Sequence, residues 1–404
     1  MTRAQQIKYW AGTALATVAI AYFLARFLAA RQPDFAKICH ERKLVATSKS
    51  ADPVDLAVVW DRNYYDNQGF IEGIDIAIDY LNLHGGLLGR PVTYTQYSEA
   101  NTLKTARKIA LNTRHSVVIG HNDSDTSIPA SNTYNRAGLL YISPFATNPL
   151  LTAYGYPLVL RPQVQDEHAE KNFLKLLDHL QVRKIAIVSR LHHYMMVYHR
   201  YREKEAIGHG IRVVFSQSYS ETKSDIPMLA YQINSSGVDC LLLIDELPQA
   251  ATLIRHIRKQ GGTFPIIGTD NFETGVDLNS LIEERLLNSG RILLITYIRE
   301  LNQAKADLTW PPAEYFFQEI VRRQISPAAY DFICTSFDNV MLYAQGVQRA
   351  QSFNPIAVTA AIKFGPPSQG VFGPYRIGLN GDAIGLNFVF KEYKNGAFHE
   401  FTID

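Results

Sequence analysis

The chain has 404 residues, is 47% hydrophobic and 19% charged, and carries a formal net charge of +2. That composition belongs to a globular chain long enough for two domains of ordinary size, each with a large core. The near-neutral balance, without a basic block interleaved with aromatics, gives no footprint for nucleic acid, and its 3 cysteines cannot build a disulfide framework.

Tyr9 to Ala25 is an uncharged run, and beyond Arg26 come the apolar residues Phe27 to Ala30. A transmembrane helix over residues 9–30 would just span a bilayer if Arg26 snorkels to the interface. Arg3 and Lys8 precede it, as in a signal sequence. A cleaved signal peptide competes, since Ala29 and Ala30 are small, but Arg26 or Phe27 at the −3 position is large. The uncleaved anchor is the preferred reading. Arg31, Lys37, Arg42 and Lys43 would hold the following side in the cytoplasm, yet long domains translocate largely regardless of charge. Residues 31–51 read as a polar linker containing Cys39.

From Val54 onward apolar strands alternate with amphipathic helices. Val54 to Trp60 is predicted as a strand. Gln68 to Leu83 is predicted as a helix, because Phe70, Ile71, Ile74, Ala77, Ile78 and Leu81 fall on one face and Gly85-Gly86 stops it. Val92 to Gln96 reads as a strand, and Leu103 to Thr113 as a helix capped by Asn101.

The stretch from Val117 to Thr152, VVIGHNDSDTSIPASNTYNRAGLLYISPFATNPLLT, carries the most chemistry. Val117–Ile119 and Leu139–Ile142 are short apolar runs ended by Gly120 and Pro144, as buried parallel strands are. The loop after the first run offers Ser124, Thr126 and Ser127, and Pro129 suits the first turn of a helix reaching Ala137. Free N–H groups and hydroxyls at a helix N-terminus favour an anion. The loop after the second run offers Thr147. Ligands of open parallel sheets bind beyond the carboxyl ends of strands, so the two loops predict a pocket that grips a carboxylate. Plain helix capping by Ser124 and Ser127 is the competing reading.

A second series follows: helix 165–180, strand Lys184–Val188, helix Tyr198–Ala206, strand Ile211–Ser216, and a helix opened by Asp225 and Pro227 and ended by Gly237. Strand Cys240–Ile244, helix Pro248–Gln260 and strand Pro265–Gly268 complete it. Two such series imply an α/β fold of mostly parallel sheets flanked by helices. The last third adds strand Ile292–Tyr297, helices near 313–324 and 328–350, a short helix from Asn354, and a closing hairpin with strand Asn387–Tyr393. The sequence holds no CxxC, HExxH, GxSxG or phosphate-binding glycine loop. His192 and His193 are adjacent, point different ways, and have no acidic or cysteine spacing to make a metal site.

Several blocks resemble the leucine/isoleucine/valine-binding protein family, the type I periplasmic solute-binding proteins of ABC transporters. They are GIDIAIDYLNLHGGLLGR (Gly73–Arg90), VVIGHNDSDTSIPAS, YISPFATNPLLT and GPYRIGLNGD (Gly373–Asp382), and the resemblance covers residues 52–404. It implies two α/β lobes joined by crossovers, which bind a ligand in the cleft and close on it. Carried across, lobe one is 52–164 plus 293–373, and lobe two is 165–292 plus 374–404. The resemblance also implies a site, with Ser124 and Thr147 on the ligand carboxylate and Phe145 contributing backbone. Tyr194 covers the ligand from lobe two, and Asp270 takes its ammonium. An aromatic position of the family falls on Glu246, where this sequence departs from the pattern, and the loop at Trp60, Asp61 and Arg62 is shorter than the family's.

Plainer roles stand beside these. Tyr194 suits an ordinary helix start, Asp270 a turn, and Glu246 a helix N-terminus whose dipole it complements. Asp123 and Asp125 oppose a bound carboxylate unless they turn away or meet the ligand's cationic end. The expectation is an extracytoplasmic, membrane-anchored protein that binds an amino acid or related compound. It would serve a membrane permease in uptake or, alternatively, a receptor partner in sensing. The acidic candidates Asp123, Asp125, Glu246 and Asp270 point to a ligand more positive than leucine. No cofactor, metal, nucleic-acid partner or enzymatic activity is expected.

Overall fold

The apolar runs become strands β1 (Val54–Val59), β2 (Val92–Tyr97), β3 (His115–Gly120), β4 (Leu140–Ile142) and β5 (Val159–Leu160). They form one parallel sheet in the order β2-β1-β3-β4-β5. The computed structural model describes residues 33–47, 51–61, 69–191, 193–220, 225–269, 272, 278–296, 309–325, 330–386 and 388–403. Side chains alternate across the sheet, as the strand period requires. Leu56 and Val58 enter a core with helices Gly69–Leu83, Pro311–Arg322, Tyr330–Ala350 and Pro355–Phe364. Ala57 and Val59 enter the opposite one, with helices Thr102–Leu111 and Ser124–Arg136. Each fully buried aliphatic side chain contributes roughly 1.5–3 kcal/mol, so covering both faces is what holds the sheet. Gly73 sets the closeness of the first core. A Cβ there would lie 2.1 Å from Ser336 Oγ and 2.2 Å from the Ile333 carbonyl oxygen.

The second series supplies β6 (Lys184–Arg190), β7 (Arg212–Tyr219), β8 (Cys240–Ile244), β9 (Ile266–Gly268) and β10 (Ile292–Thr296). Next come β11 (Ser368–Gly370), β12 (Gly373–Ile377) and β13 (Ala383–Ile384), a small antiparallel sheet, and then β14 (Val389–Lys394) and β15 (Ala397–Phe401). The second sheet has the order β15-β14-β10-β9-β8-β6-β7, parallel except for the antiparallel pairs at β14 and β15. Asn395 and Gly396, at φ 52° and 87°, make the two-residue turn of that last hairpin. The molecule is thus a two-lobed α/β fold.

The chain crosses between lobes after β5, after β10 and after β13. Strand β10, which the expected ranges divide between lobes near residue 293, lies wholly in the second sheet. Tyr375, Ile377 and Ala383 belong to the first lobe's core, so the last crossing follows residue 384 and not residue 373.

Residues 9–30 lie outside the described residues. Among the described residues no helix is long and apolar enough to cross a membrane. Within the expected linker, Phe35–Thr47 is a helix seated on lobe one. Its buried residues are Ile38 and Arg42, too few to give an amphipathic pattern, which is why the sequence reads as a stalk.

Candidate functional site

The carboxyl ends of β3 and β4 carry the two hydroxyl loops. Gly120, at φ +138°, ends β3 so close to β1 that a Cβ would lie 2.1 Å from the Val59 carbonyl oxygen. His121 follows at φ 64°, an unusual conformation for a residue with a side chain. Its buried ring holds that turn in place, with Nδ1 2.8 Å from Glu99 Oε1 and Nε2 2.8 Å from the Tyr134 hydroxyl.

The helix then begins at Ser124, five residues before Pro129, with Asp123 as its cap. The early start has a local cause. Asp123 Oδ1 accepts from Thr126 N at 2.9 Å, while Asp123 N donates to Thr126 Oγ1 at 3.4 Å, a reciprocal capping box. Pro129 therefore sits inside the helix and not in its first turn. Asp123's carboxylate is turned into its own helix, and Asp125 is exposed in the first turn.

The loops that carry Ser124 and Thr147 are brought together. Ser124 is buried, and its Oγ accepts from the backbone N–H of Asn148 at 3.2 Å. Thr147 lies beside Asp166, whose backbone N–H donates to the Thr147 carbonyl at 3.0 Å. Burial raises the Asp166 carboxyl above its ordinary range, opposed by the Thr147 hydroxyl and by Arg202 and Arg161. The Phe145 ring joins an aromatic wall, 5.7 Å from Trp60 and 5.1 Å from Phe332 between ring centroids. Trp60 itself stacks on Phe70 at 4.1 Å.

Arg161, which the sequence gives no reason to single out, organises the second loop. Its guanidinium is fully buried and donates to the carbonyls of Ala146 at 3.3 Å and Asn148 at 2.7 Å. It also ion-pairs with Asp382 at 2.7 Å, so the Gly373–Asp382 block braces the loop that holds Thr147. Asn122, two positions before Ser124, likewise carries no signal in the sequence. It is 2% exposed, and its side-chain amide has no hydrogen-bond partner among the described residues.

In lobe two, Glu246 is the N-cap residue of helix Leu247–Lys259 but makes no side-chain capping bond. It pairs instead with Arg190 at the end of β6, 2.8 Å away. Arg190 also reaches Asp245 at 3.1 Å. Asp245 is buried, accepts from the Tyr219 hydroxyl, and has its carboxyl pushed up to about 6, chiefly by burial. Neither Arg190 nor Asp245 carries a sequence signal, since strand-end polar residues are ordinary. Asp270 lies outside the described residues, as does the side chain of Tyr194. Among the described residues no group of three or more His, Cys, Asp or Glu is placed to hold a metal ion.

The chain and its fold have counterparts among known proteins. The sequence profile of the periplasmic binding protein family matches residues 64–396. The Leu/Ile/Val/Thr-binding protein of Salmonella typhimurium is 26% identical over 355 residues, covering 86% of this chain and 93% of its own. The Leu/Ile/Val-binding protein of Escherichia coli K12 is 26% identical over 82% of this chain and 88% of its own. Among solved structures, an ABC transporter substrate-binding protein from Desulfitobacterium hafniense in complex with Leu superposes with TM-score 0.68 at 23% identity, covering 87% of this chain and all 100% of that one. A solute-binding protein from R. palustris in complex with benzoate gives TM-score 0.66 at 15% identity, covering 86% and 95%. The chain belongs to the periplasmic binding protein family, in its type I leucine/isoleucine/valine-binding branch.

Proposed function

We propose that this protein binds an amino acid or related carboxylate in the cleft between its lobes, closes on it by hinge motion, and hands it to an ABC-transporter permease. The observation that carries the reading is the bond from Asn148 N–H to Ser124 Oγ. It joins the two hydroxyl loops at the strand ends, where an α/β sheet receives ligands. The ligands named in the neighbouring structures, leucine, isoleucine, benzoate and 3,4-dihydroxybenzoic acid, share a carboxylate.

In this reading Ser124, Thr147 and free amides meet the carboxylate, with Phe145 supplying backbone. Tyr194 covers the ligand and Asp270 takes its ammonium. Arg190 offsets much of the acidity that Asp245 and Glu246 bring, yet the trio stays net negative, which supports a ligand more positive than leucine. The binding lobes lie outside the cytoplasm, anchored through residues 9–30. A receptor partner in place of a permease is the second reading; an uncleaved anchor over Tyr9–Ala25 suits it, as it suits a tethered transporter component.

A thermal-shift panel of amino acids and aromatic carboxylates on the purified chain tests the site. A ligand at a hundred times its Kd adds roughly 2.7 kcal/mol of stability. The reading is lost if no carboxylate shifts the melt, or if a shift survives intact in the Ser124→Ala, Thr147→Ala double variant.

A further inference from the structure

A cavity of about 320 Å³ sits where the chain passes between the lobes. Gln163, Asp338, Asn339, Phe372, Tyr375 and Leu386 are among its lining residues, and none of Ser124, Phe145, Thr147 or Glu246 lines it. The volume falls at the lower end of small-molecule pockets, which start near ~300 Å³, and at about 30 Å³ per water-sized group has room for roughly ten heavy atoms.

Its polar groups are left with capacity to spare. Asn339 is 1% exposed and Tyr375 is 4% exposed. Asn339 Nδ2 and the Tyr375 hydroxyl have no hydrogen-bond partner among the described residues. Leaving such groups buried and unbonded is unfavourable, and a ligand that bonds them recovers the loss. The Asp338 carboxyl accepts from the Val371 backbone N–H at 2.9 and 3.0 Å. Burial pushes that carboxyl up to about 8, opposed among the described residues only by the Val371 N–H. Arg349, the cation that acts on Tyr375, donates to Pro367 O at 3.0 Å, Ser368 Oγ at 3.3 Å and Gln345 Oε1 at 3.3 Å. The cavity therefore combines an acid short of positive charge, an amide donor short of an acceptor, and the apolar side chains of Phe372 and Leu386. An ammonium suits the acid and the aromatic side chains. A hydroxyl oxygen suits the amide donor.

We propose that this hinge cavity is a second binding site, selective for a small amino alcohol whose ammonium meets Asp338 and whose oxygen accepts from Asn339. It is independent of the carboxylate site. Because its walls include Gln163 and Leu386 on crossing segments, an occupant bears on the opening and closing of the lobes.

Isothermal titration of the full-length chain with ethanolamine tests this, with ethanol and ethylene glycol as controls for the missing charge. Ethanolamine is expected to bind, and both controls to fail. Asp338→Asn keeps an acceptor for Val371 and is expected to weaken ethanolamine by at least roughly tenfold. The Ser124→Ala, Thr147→Ala double variant is expected to bind ethanolamine as the natural chain does. The proposal is overturned if ethanolamine gives no heat, if Asp338→Asn leaves its affinity unchanged, or if the double variant abolishes it. Should Asp338→Asn fail to fold, Asn339→Ala must weaken ethanolamine, and unchanged binding in that variant overturns the proposal equally.

Discussion

Arg190 bridges two consecutive carboxylates, with Nη2 2.8 Å from Glu246 Oε1 and Nε 3.1 Å from Asp245 Oδ1. Asp245 takes two further donors, the Tyr219 hydroxyl and the Glu246 N–H, the latter at 2.8 Å. Burial outweighs all of them and lifts its carboxyl from 3.8 to about 6.

The direction of that shift sets a pH dependence. The folded state holds the Asp245 proton more tightly than the unfolded chain does. Its contribution is therefore fully present below the ordinary carboxylate value and is lost as pH rises through about 6. Two pKa units correspond to about 3 kcal/mol. Asp245→Asn removes this loss, so its stability relative to the natural chain is expected to improve by about that amount between pH 4 and pH 7. Urea unfolding of both proteins at the two pH values measures it. An equal difference at both would show that Asp245 is not the group responsible.

Asp123 is an acid beside the proposed carboxylate site, yet its charge is engaged by its own helix. Its Oδ1 is held by Thr126 N and Thr126 Oγ1, both at 2.9 Å. Asn and Asp serve about equally as helix caps. Asp123→Asn is expected to leave stability within about 0.5 kcal/mol and to strengthen a carboxylate ligand a few-fold. Asp123→Ala loses the cap, about 1 kcal/mol, and weakens the ligand because the helix start frays. Calorimetric titration with a ligand from the melting panel compares the two, and tighter binding by the alanine variant would contradict the capping account.

Much of this arrangement is legible in the sequence because it is local. Gly120 and Pro144 end their strands, Asn101 accepts from Lys104 N at 3.1 Å, and Asn354 accepts from Ile356 N at 3.0 Å. The start of the helix at Ser124 is hidden because Pro129 is a strong first-turn signal, and an aspartate–threonine capping box overrides it. Arg161 with Asp382 and Arg190 with Asp245 are hidden for another reason. Partners 221 positions apart in the first pair carry no periodicity, and an arginine at a strand end looks solvated until the fold closes over it.

Gly73 is a test of how tightly lobe one is assembled. The Cβ of Gly73→Ala would meet Ser336 Oγ at 2.1 Å and Ile333 O at 2.2 Å, so helices Gly69–Leu83 and Tyr330–Ala350 must separate. Overpacking of this kind costs about 1–3 kcal/mol. Adding Ser336→Ala is expected to restore only part of it, because the Ile333 carbonyl is backbone and cannot rotate away. Full recovery in the double variant, read by urea unfolding, would mean that the side chain alone limits the approach.

Arg42 decides whether the helix at Phe35–Thr47 is part of the lobe or a loose tether. Its guanidinium donates to the carbonyls of His115 at 2.5 Å, Ala110 at 2.9 Å, and Ala137 and Asn112 at 3.2 Å. Burial pushes it down to about 10, still charged at neutral pH. Four carbonyls gathered on one buried charge make the contact strong and directional. Arg42→Met keeps the stem's packing but removes every donor, and is expected to cost about 3 kcal/mol. The helix should then lift away, speeding protease cleavage within residues 33–50 while the lobes stay resistant. Unchanged cleavage in Arg42→Met would show that Arg42 does not hold this helix on lobe one.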